Sequence, residues 1–257
     1  MKFKNMYWIG TVGLLALSSA HGASVWPDAD GVSTDVSMNV QIGNETFSNI
    51  DLNWASSVDP TTHQTVYTLT GGPIMLTSSD GSSFTIGSAS FDPDPVLLFS
   101  ASATNNGNNP LTYSFSFNTP LSPALIGNIN SHAELGVTLT DGLNDGAMVR
   151  PLVGQNFMLK SYDLYGNGDS VSKNVDIGTA FSVFATTGGT NFSADNTLVC
   201  AQACVTISSV LTFTLTGHDA VGLSGKVVQS TVPVPAAGLL LLSGLGLFGG
   251  AARRRKA

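Results

Sequence analysis

The feature that most constrains the fold of this 257-residue chain is an alternation of apolar and polar side chains with a period of two. Such alternation indicates strands with one buried face and one solvated face, because successive side chains of a strand point to opposite sides. The clearest apolar sets are Val32, Val36, Met38, Val40 and Ile42; Ile50, Leu52 and Trp54; Tyr113, Phe115 and Phe117; Leu135, Val137 and Leu139; and Val205, Ile207, Leu211, Phe213 and Leu215.

Glycine-rich and Asx-rich turns separate these sets. Examples are Gly71-Gly72-Pro73, Ser79-Asp80-Gly81, Asn105-Asn106-Gly107, Asp141-Gly142 and Gly188-Gly189, all of which suit hairpin turns. Residues 24–231 show no amphipathic helical stretch and no repeat of fixed period. The pattern therefore predicts an all-β body over residues 24–231, an antiparallel β-sandwich similar to a jelly roll.

Residues 1–23 have the three parts of a secretory signal peptide. Lys2 and Lys4 give a positive start, residues 6–17 are uncharged and apolar, and small residues up to Ala23 suit signal peptidase. We predict a signal helix that directs the chain to Sec and is then removed.

Residues 232–257 combine a short motif, an apolar run and a basic end. The motif is Val232-Pro233-Val234-Pro235-Ala236, and the basic end is Arg253-Arg254-Arg255-Lys256. The uncharged residues between them bring the segment to about 20 residues, the length that spans a bilayer. The segment predicts a single transmembrane helix with its basic tail in the cytoplasm and the body outside.

This terminus resembles a PEP-CTERM sorting signal, with Val234 where the family usually has Glu. The resemblance implies a protein exported by a Gram-negative bacterium that makes exopolysaccharide. It implies transient anchoring in the inner membrane, cleavage by an exosortase, and delivery to the cell surface or extracellular matrix. Residues 91–120, with Asp92-Pro93-Asp94-Pro95, two strands and an amide-rich turn, also resemble a pattern common in such proteins.

The charge of the body excludes one class of partner. Without the two terminal segments, four basic residues stand against all 17 acidic ones, a formal net charge of −13. Phosphate backbones require clustered cations, so we do not expect nucleic acid to bind.

Two small clusters are candidate sites. Cys200 and Cys204 predict a disulfide in an oxidising compartment, and no second Cys or His pair follows at zinc-finger spacing, which argues against a zinc site. Asp163, Asn167 and Asp169 offer oxygen atoms on a glycine-containing loop and are weak candidates for calcium. The competing interpretation is a turn whose side-chain oxygens bind its own backbone. No other cofactor is expected.

No catalytic motif is present, and we expect no enzyme. His-x3-His, His-Glu-x2-His and Gly-x-Ser-x-Gly spacings are all missing. A Ser/His/Asp triad or a glycosidase carboxylate pair could still assemble from distant positions. The leading hypothesis is a non-enzymatic protein with a structural or adhesive role in exopolysaccharide or biofilm. The alternatives are a lectin-like carbohydrate-binding module and a hydrolase of matrix glycans.

Overall fold

The computed structural model describes residues 36–48, 50, 52–166, 170–184 and 186–232. These residues form strands and connecting turns, without a helix. The strands are β1 Ser37–Ile42, β2 Glu45–Phe47, β3 Asn53–Val58, β4 Thr65–Thr70, β5 Ile74–Thr77, β6 Ser83–Asp92, β7 Val96–Thr104, β8 Leu111–Thr140, β9 Ala147–Arg150, β10 Leu159–Tyr165, β11 Ser170–Ile177, β12 Phe181–Val183, β13 Thr187–Leu215 and β14 Ala220–Thr231.

All strand pairs are antiparallel, and together they form one 14-stranded sheet. Its main path runs β11-β10-β13-β8-β14-β7-β6-β4-β3. Off this path, β1 pairs with β8 and β2, β5 pairs with β6, and β9 joins β13 to β12. Because consecutive hydrogen-bonded neighbours link every strand, the predicted sandwich is one continuous sheet rather than two separate ones.

The sheet folds over itself into two facing layers. The first half of β8 packs against strands that are not its hydrogen-bonded neighbours: Phe115 lies 5.6 Å from Phe84 of β6 and 5.3 Å from Phe99 of β7, centroid to centroid. In the same way Phe117 stacks on Trp54 of β3 at 5.9 Å. The core is therefore a layer of interlocking rings between two sheet faces, which is the packing of a sandwich.

Two very long strands connect the layers. β8 has 30 residues and β13 has 29, and each runs from one layer into the other. The pairing of β13 with β8 shifts register between Cys200 and Cys204. Such a bulge bends a strand sharply, which lets a single strand turn the corner between layers.

The predicted all-β antiparallel body is confirmed, and most of the alternating apolar residues that lie in the described part of the chain form its core; Ile50 and Val205 are only half-buried. Tyr113, Phe115 and Phe117 are buried, as are Leu135, Val137 and Leu139. The turn predicted at Gly188-Gly189 is wrong, because both glycines lie inside β13. A Cβ at Gly188 would come 2.5 Å from Val183 Cγ1, so here glycine permits close packing against β12 rather than a turn.

The two terminal predictions, residues 1–23 and the apolar run of residues 232–257, fall outside the described residues except for Val232. Where the structure is described, it contains no helix with the length and apolarity needed to cross a membrane.

Candidate functional site

One solvent-facing surface of the sheet carries small polar side chains across five neighbouring strands, β13, β8, β14, β7 and β6. We call it the groove face. It consists of Gly189, Asn191 and Ser193 on β13; Glu134, Gly136 and Thr138 on β8; Gly222, Ser224 and Lys226 on β14; Leu98, Ser100 and Ser102 on β7; and Ser88 and Ser90 on β6. Four interstrand spacings of about 4.8 Å give it a width of about 19 Å.

The strand register aligns these residues in rows. One row runs Asn191, Gly136, Ser224, Ser100, Ser88, and each member lies directly opposite the next on the neighbouring strand. The next row, Ser193, Glu134, Lys226, Leu98, Ser90, runs parallel to it. The face therefore presents hydroxyl, amide and charged groups on a regular lattice fixed by the backbone.

Gly136 creates the depth at the centre of the face. A Cβ at this position would lie 2.5 Å from Ser224 Oγ and 3.1 Å from Asn191 Oδ1. Two adjoining depressions of about 690 and 480 Å³ share these three residues. Because the glycine has no side chain, a hydroxyl and an amide oxygen converge on one recess and can both reach a ligand there.

Four titratable residues lie beside this recess: Glu134 and Lys226 line its larger depression, and His132 and Asp195 line the next one. Asp195 lies opposite His132, and Lys226 lies opposite Glu134. His132 Nδ1 is 2.8 Å from Asp195 Oδ1, and its Nε2 is 3.0 Å from Glu134 Oε1. A third depression of about 710 Å³ extends past His132 and Asp195.

The two carboxylates favour the charged form of the His132 imidazole. The hydrogen bonds that His132 donates to Glu134 and Asp195 raise the pKa of His132. The hydrogen bond from His132, together with the charge of Lys226, lowers the pKa of Glu134. A general base needs a free ring nitrogen, and a glycosidase acid needs a raised carboxyl pKa. Both ring nitrogens of His132 are engaged in hydrogen bonds and the pKa of Glu134 is lowered, so neither residue meets its condition in this arrangement.

The calcium candidate Asp163 lies in the interior, on β10. Its carboxylate is fully buried and accepts hydrogen bonds from Asn174 Nδ2 at 2.8 Å and from Gln229 Nε2 at 2.9 and 3.1 Å. Burial raises the pKa of Asp163, while these hydrogen bonds oppose the shift. Asn167 and Asp169 lie outside the described residues, so the three-residue calcium site stays a prediction.

Cys200 and Cys204 form a disulfide in the structure, and both are buried. Cys200 Sγ lies 3.8 Å from Asp163 Oδ2. The two sulfurs and this carboxylate are close enough to share a metal ion, but the sulfurs are bonded to each other. The disulfide instead closes the register shift at which β13 passes between the layers.

The turn predicted at Asp141-Gly142 is an Asx-rich turn whose carboxylate binds the backbone of its own loop. Asp141 Oδ1 accepts backbone N–H bonds from Leu143, Asn144 and Asp145 at 3.2, 2.6 and 3.3 Å, and Oδ2 accepts one from Gly146 at 2.8 Å. These bonds lower the pKa of Asp141 against the opposing effect of its desolvation. The carboxylate thus caps its own loop.

Of the sorting motif, the structure describes only Val232, whose N–H donates to Asn128 O at 2.9 Å. Pro233, Val234, Pro235 and Ala236, and the basic residues 253–256, lie outside the described residues.

The groove face was not predicted from the sequence. Its strands do carry a signal, since Ser100 and Ser102 alternate with buried Ala101 and Ala103. That alternation identifies which face of each strand meets solvent, but it does not give the cross-strand register that aligns the rows.

Comparison with known proteins identified no family. No family model matches the chain, and no curated protein matches it.

Among solved structures, the chain is similar to a Clostridium thermocellum xylanase fragment with CBM22 and GH10 modules in complex with xylohexaose. The identity is 9%, the TM-score is 0.25, and the match covers 77% of this chain and 27% of the other. It is also similar to a bacteriophage CBA120 tailspike domain, with 10% identity, a TM-score of 0.21, and coverage of 84% and 21%. A Synechocystis protein, Slr1438, gives 10% identity, a TM-score of 0.27, and coverage of 75% and 78%. The chain thus spans only about a quarter of the first two, and TM-scores this low carry no argument about function.

Proposed function

We propose that this protein is an exported, non-enzymatic matrix or cell-surface protein that binds neutral polysaccharide along the groove face. The observation that carries the proposal is the lattice of hydroxyl and amide side chains across five strands, deepened at Gly136. Sugar hydroxyls both donate and accept hydrogen bonds, and Ser, Thr and Asn side chains offer both functions.

The negative charge of the protein indicates that its ligand is a neutral polysaccharide rather than an acidic one. The body has a formal net charge of −13, which repels chains rich in uronic acid or sulfate. Beside the recess, His132 and Lys226 face Glu134 and Asp195, so the local charge is balanced when His132 is protonated. A neutral chain avoids the repulsion and still finds polar partners.

The affinity of one face is expected to be low. A hydrogen bond exchanged with water contributes about 1 kcal/mol net, so a handful of them gives a dissociation constant of roughly millimolar order. A weak site suits retention in a matrix where polysaccharide is abundant. The sorting signal would deliver the protein to that location.

A substitution at Gly136 tests the site. Gly136→Ala places a methyl group in the recess and displaces Ser224 Oγ, which we expect to weaken binding to neutral glycans about tenfold, the equivalent of one to two hydrogen bonds. Gly166→Ala is the matched control, because Gly166 lies outside the groove face and a Cβ there would meet nothing within 4 Å. Glycan arrays and titration calorimetry on the purified protein give the measurement. Equal affinity in the wild type and both variants, or binding only to acidic chains, would refute the proposal.

Two further measurements test the rest of the proposal. Replacing Pro233 and Pro235 should abolish surface display and leave an uncut tail, whereas unchanged display would contradict the sorting assignment. The protein should also be screened for hydrolysis of matrix glycans. Hydrolysis that is lost on Glu134→Gln would show that the protein is an enzyme and not only a binding protein.

A further inference from the structure

Strand β3 (Asn53–Val58) ends the main path of the sheet. Among the described residues it pairs only with β4. Its start is held firmly, because Trp54 is buried and its ring packs at 5.2 Å on Phe91 and 5.9 Å on Phe117. From Ala55 to Val58 every side chain is exposed. Within the part of the chain that the structure describes, β3 is therefore an ordered strand with one open edge.

The register shows which backbone groups face that edge. Asp59 N donates to Gln64 O at 2.9 Å, so the backbone of residue 59 points toward β4. Antiparallel strands alternate residues that bond inward and outward. Since the β3–β4 register has no shift, the N–H and C=O groups of Trp54, Ser56 and Val58 point away from β4.

This edge lacks the protection that open strands normally carry. Edge strands are usually guarded by charged residues, Pro or bulges. The segment Asn53–Val58 contains no charge and no Pro, and its pairing with β4 is unbroken. The strand at the opposite end of the sheet, β11, contains Lys173 and Asp176.

The edge is complementary to itself. In an antiparallel pair centred on Ser56, Ser56 of one copy lies opposite Ser56 of the other, and Trp54 lies opposite Val58. Each of these three pairs exchanges two hydrogen bonds, which uses every outward group of the strand. Val58, 62% exposed in one copy, would lie beside the rim of Trp54 in the other.

At the β3 edge, charge does not oppose a second copy. A body with a formal net charge of −13 repels another copy over most of its surface. At the β3 edge no two carboxylates meet, because in this register Asp59 lies opposite Asn53. We propose that two copies of this protein associate through their β3 strands, in the two-fold register centred on Ser56, to form one sheet across both molecules.

A charge exchange at the two-fold axis tests this register. Ser56 is exposed, so Ser56→Lys and Ser56→Glu should fold normally, as circular dichroism would verify. Each variant alone places like charges directly opposite one another and should weaken the dimer about fivefold. An equimolar mixture should restore association, now as a salt-sensitive heterodimer, measured by sedimentation velocity with one variant labelled.

Ser57→Lys and Ser57→Glu are the matched controls. Ser57 is also exposed, but in this register it lies opposite Ala55 and only diagonally from its own copy, so mixing these variants should restore less association than mixing the Ser56 variants. Wild-type protein that stays monomeric at high concentration would overturn the proposal. So would a Ser56 mixture that associates no more strongly than either variant alone, or a Ser57 mixture that restores as much association as the Ser56 mixture. None of these outcomes depends on glycan binding, so the proposals of glycan binding at the groove face and of association through β3 are tested independently.

Discussion

Gly225 allows the backbone of strand β14 to pack directly against the ring of Phe99 in the core. The two residues lie directly opposite each other on β14 and β7. A Cβ at Gly225 would lie 2.1 and 2.2 Å from two ring carbons of Phe99, which no real structure tolerates. Phe99 is itself buried and meets Phe115 edge to face at 5.3 Å, so its ring has little room to move.

We therefore expect Gly225→Ala to destabilise the fold by about 2 kcal/mol. Forcing a methyl group into a packed core costs roughly 1–3 kcal/mol. Replacing Gly by Ala within a strand otherwise stabilises the folded state by roughly 0.5–1 kcal/mol. Since the added methyl group overlaps two ring atoms, we take the overpacking cost near the upper end of its range, about 3 kcal/mol, and the net destabilisation is about 2 kcal/mol.

A double-mutant cycle isolates the cause. Phe99→Ala alone should cost about 3–5 kcal/mol, because it leaves a cavity. In that background Gly225→Ala should be neutral or slightly stabilising, since the ring it clashed with is gone. Urea unfolding followed by the fluorescence of buried Trp54 gives each free energy.

Gly222→Ala, on the same strand but with nothing closer than 3.9 Å, serves as the control and should change stability little. If Gly225→Ala costs the same with and without the Phe99 ring, within about 0.5 kcal/mol, the ring is not what the glycine accommodates, and the reasoning fails.

Two predictions concern buried and paired charges. Because burial raises the pKa of Asp163 in the folded state, its contribution to stability is present below the unfolded value of about 4 and is lost as pH rises through the folded value. Asp163→Asn should therefore gain stability relative to wild type as pH rises from about 4, measured as urea midpoints; a pH-independent difference would contradict this. The pKa of His132 is raised, so its ion pairs stabilise the fold fully below about 6.5 and less as pH rises through the folded value. NMR titration should give a pKa above the ordinary value, lowered by Glu134→Gln; an unchanged value in that variant would contradict the contact.

The alternation of the sequence was enough to predict the strands, because their period is local. The set Tyr113, Phe115 and Phe117 and the set Leu135, Val137 and Leu139 are both buried as predicted. What the pattern could not show is that both belong to one strand, β8. The alternation of buried and exposed residues is interrupted between Thr119 and Ala124, in the middle of β8, so a strand that crosses between layers looks like two strands.

Predictions that depended on the surroundings of a residue were less successful. The sequence predicts that Asp163 belongs to a glycine-containing loop, yet it lies on β10 in phase with buried Leu159 and Ser161. The sequence does not show that phase, because Ser161 and Asp163 are polar while the alternate positions Tyr162 and Leu164 are apolar or aromatic. The amide partners Asn174 and Gln229 are not visible either, because they lie 11 and 66 residues away. Local composition cannot report a hydrogen bond between distant strands.

The two proposals together lead to a last prediction about binding strength. A two-fold axis perpendicular to the sheet keeps corresponding faces on the same side, so β3 pairing would place two groove faces on one continuous surface. A long polysaccharide could then occupy both, and the second contact would be intramolecular, which can strengthen binding by 10²-fold or more. A short oligosaccharide that reaches only one face would gain nothing. We therefore expect Ser56→Lys to weaken retention of the protein by a long neutral polysaccharide in affinity electrophoresis, while calorimetry with the corresponding short oligosaccharide is unchanged. Equal losses with both ligands would mean that the substitution disturbs the face itself, and no loss with either would mean that the two faces do not act together.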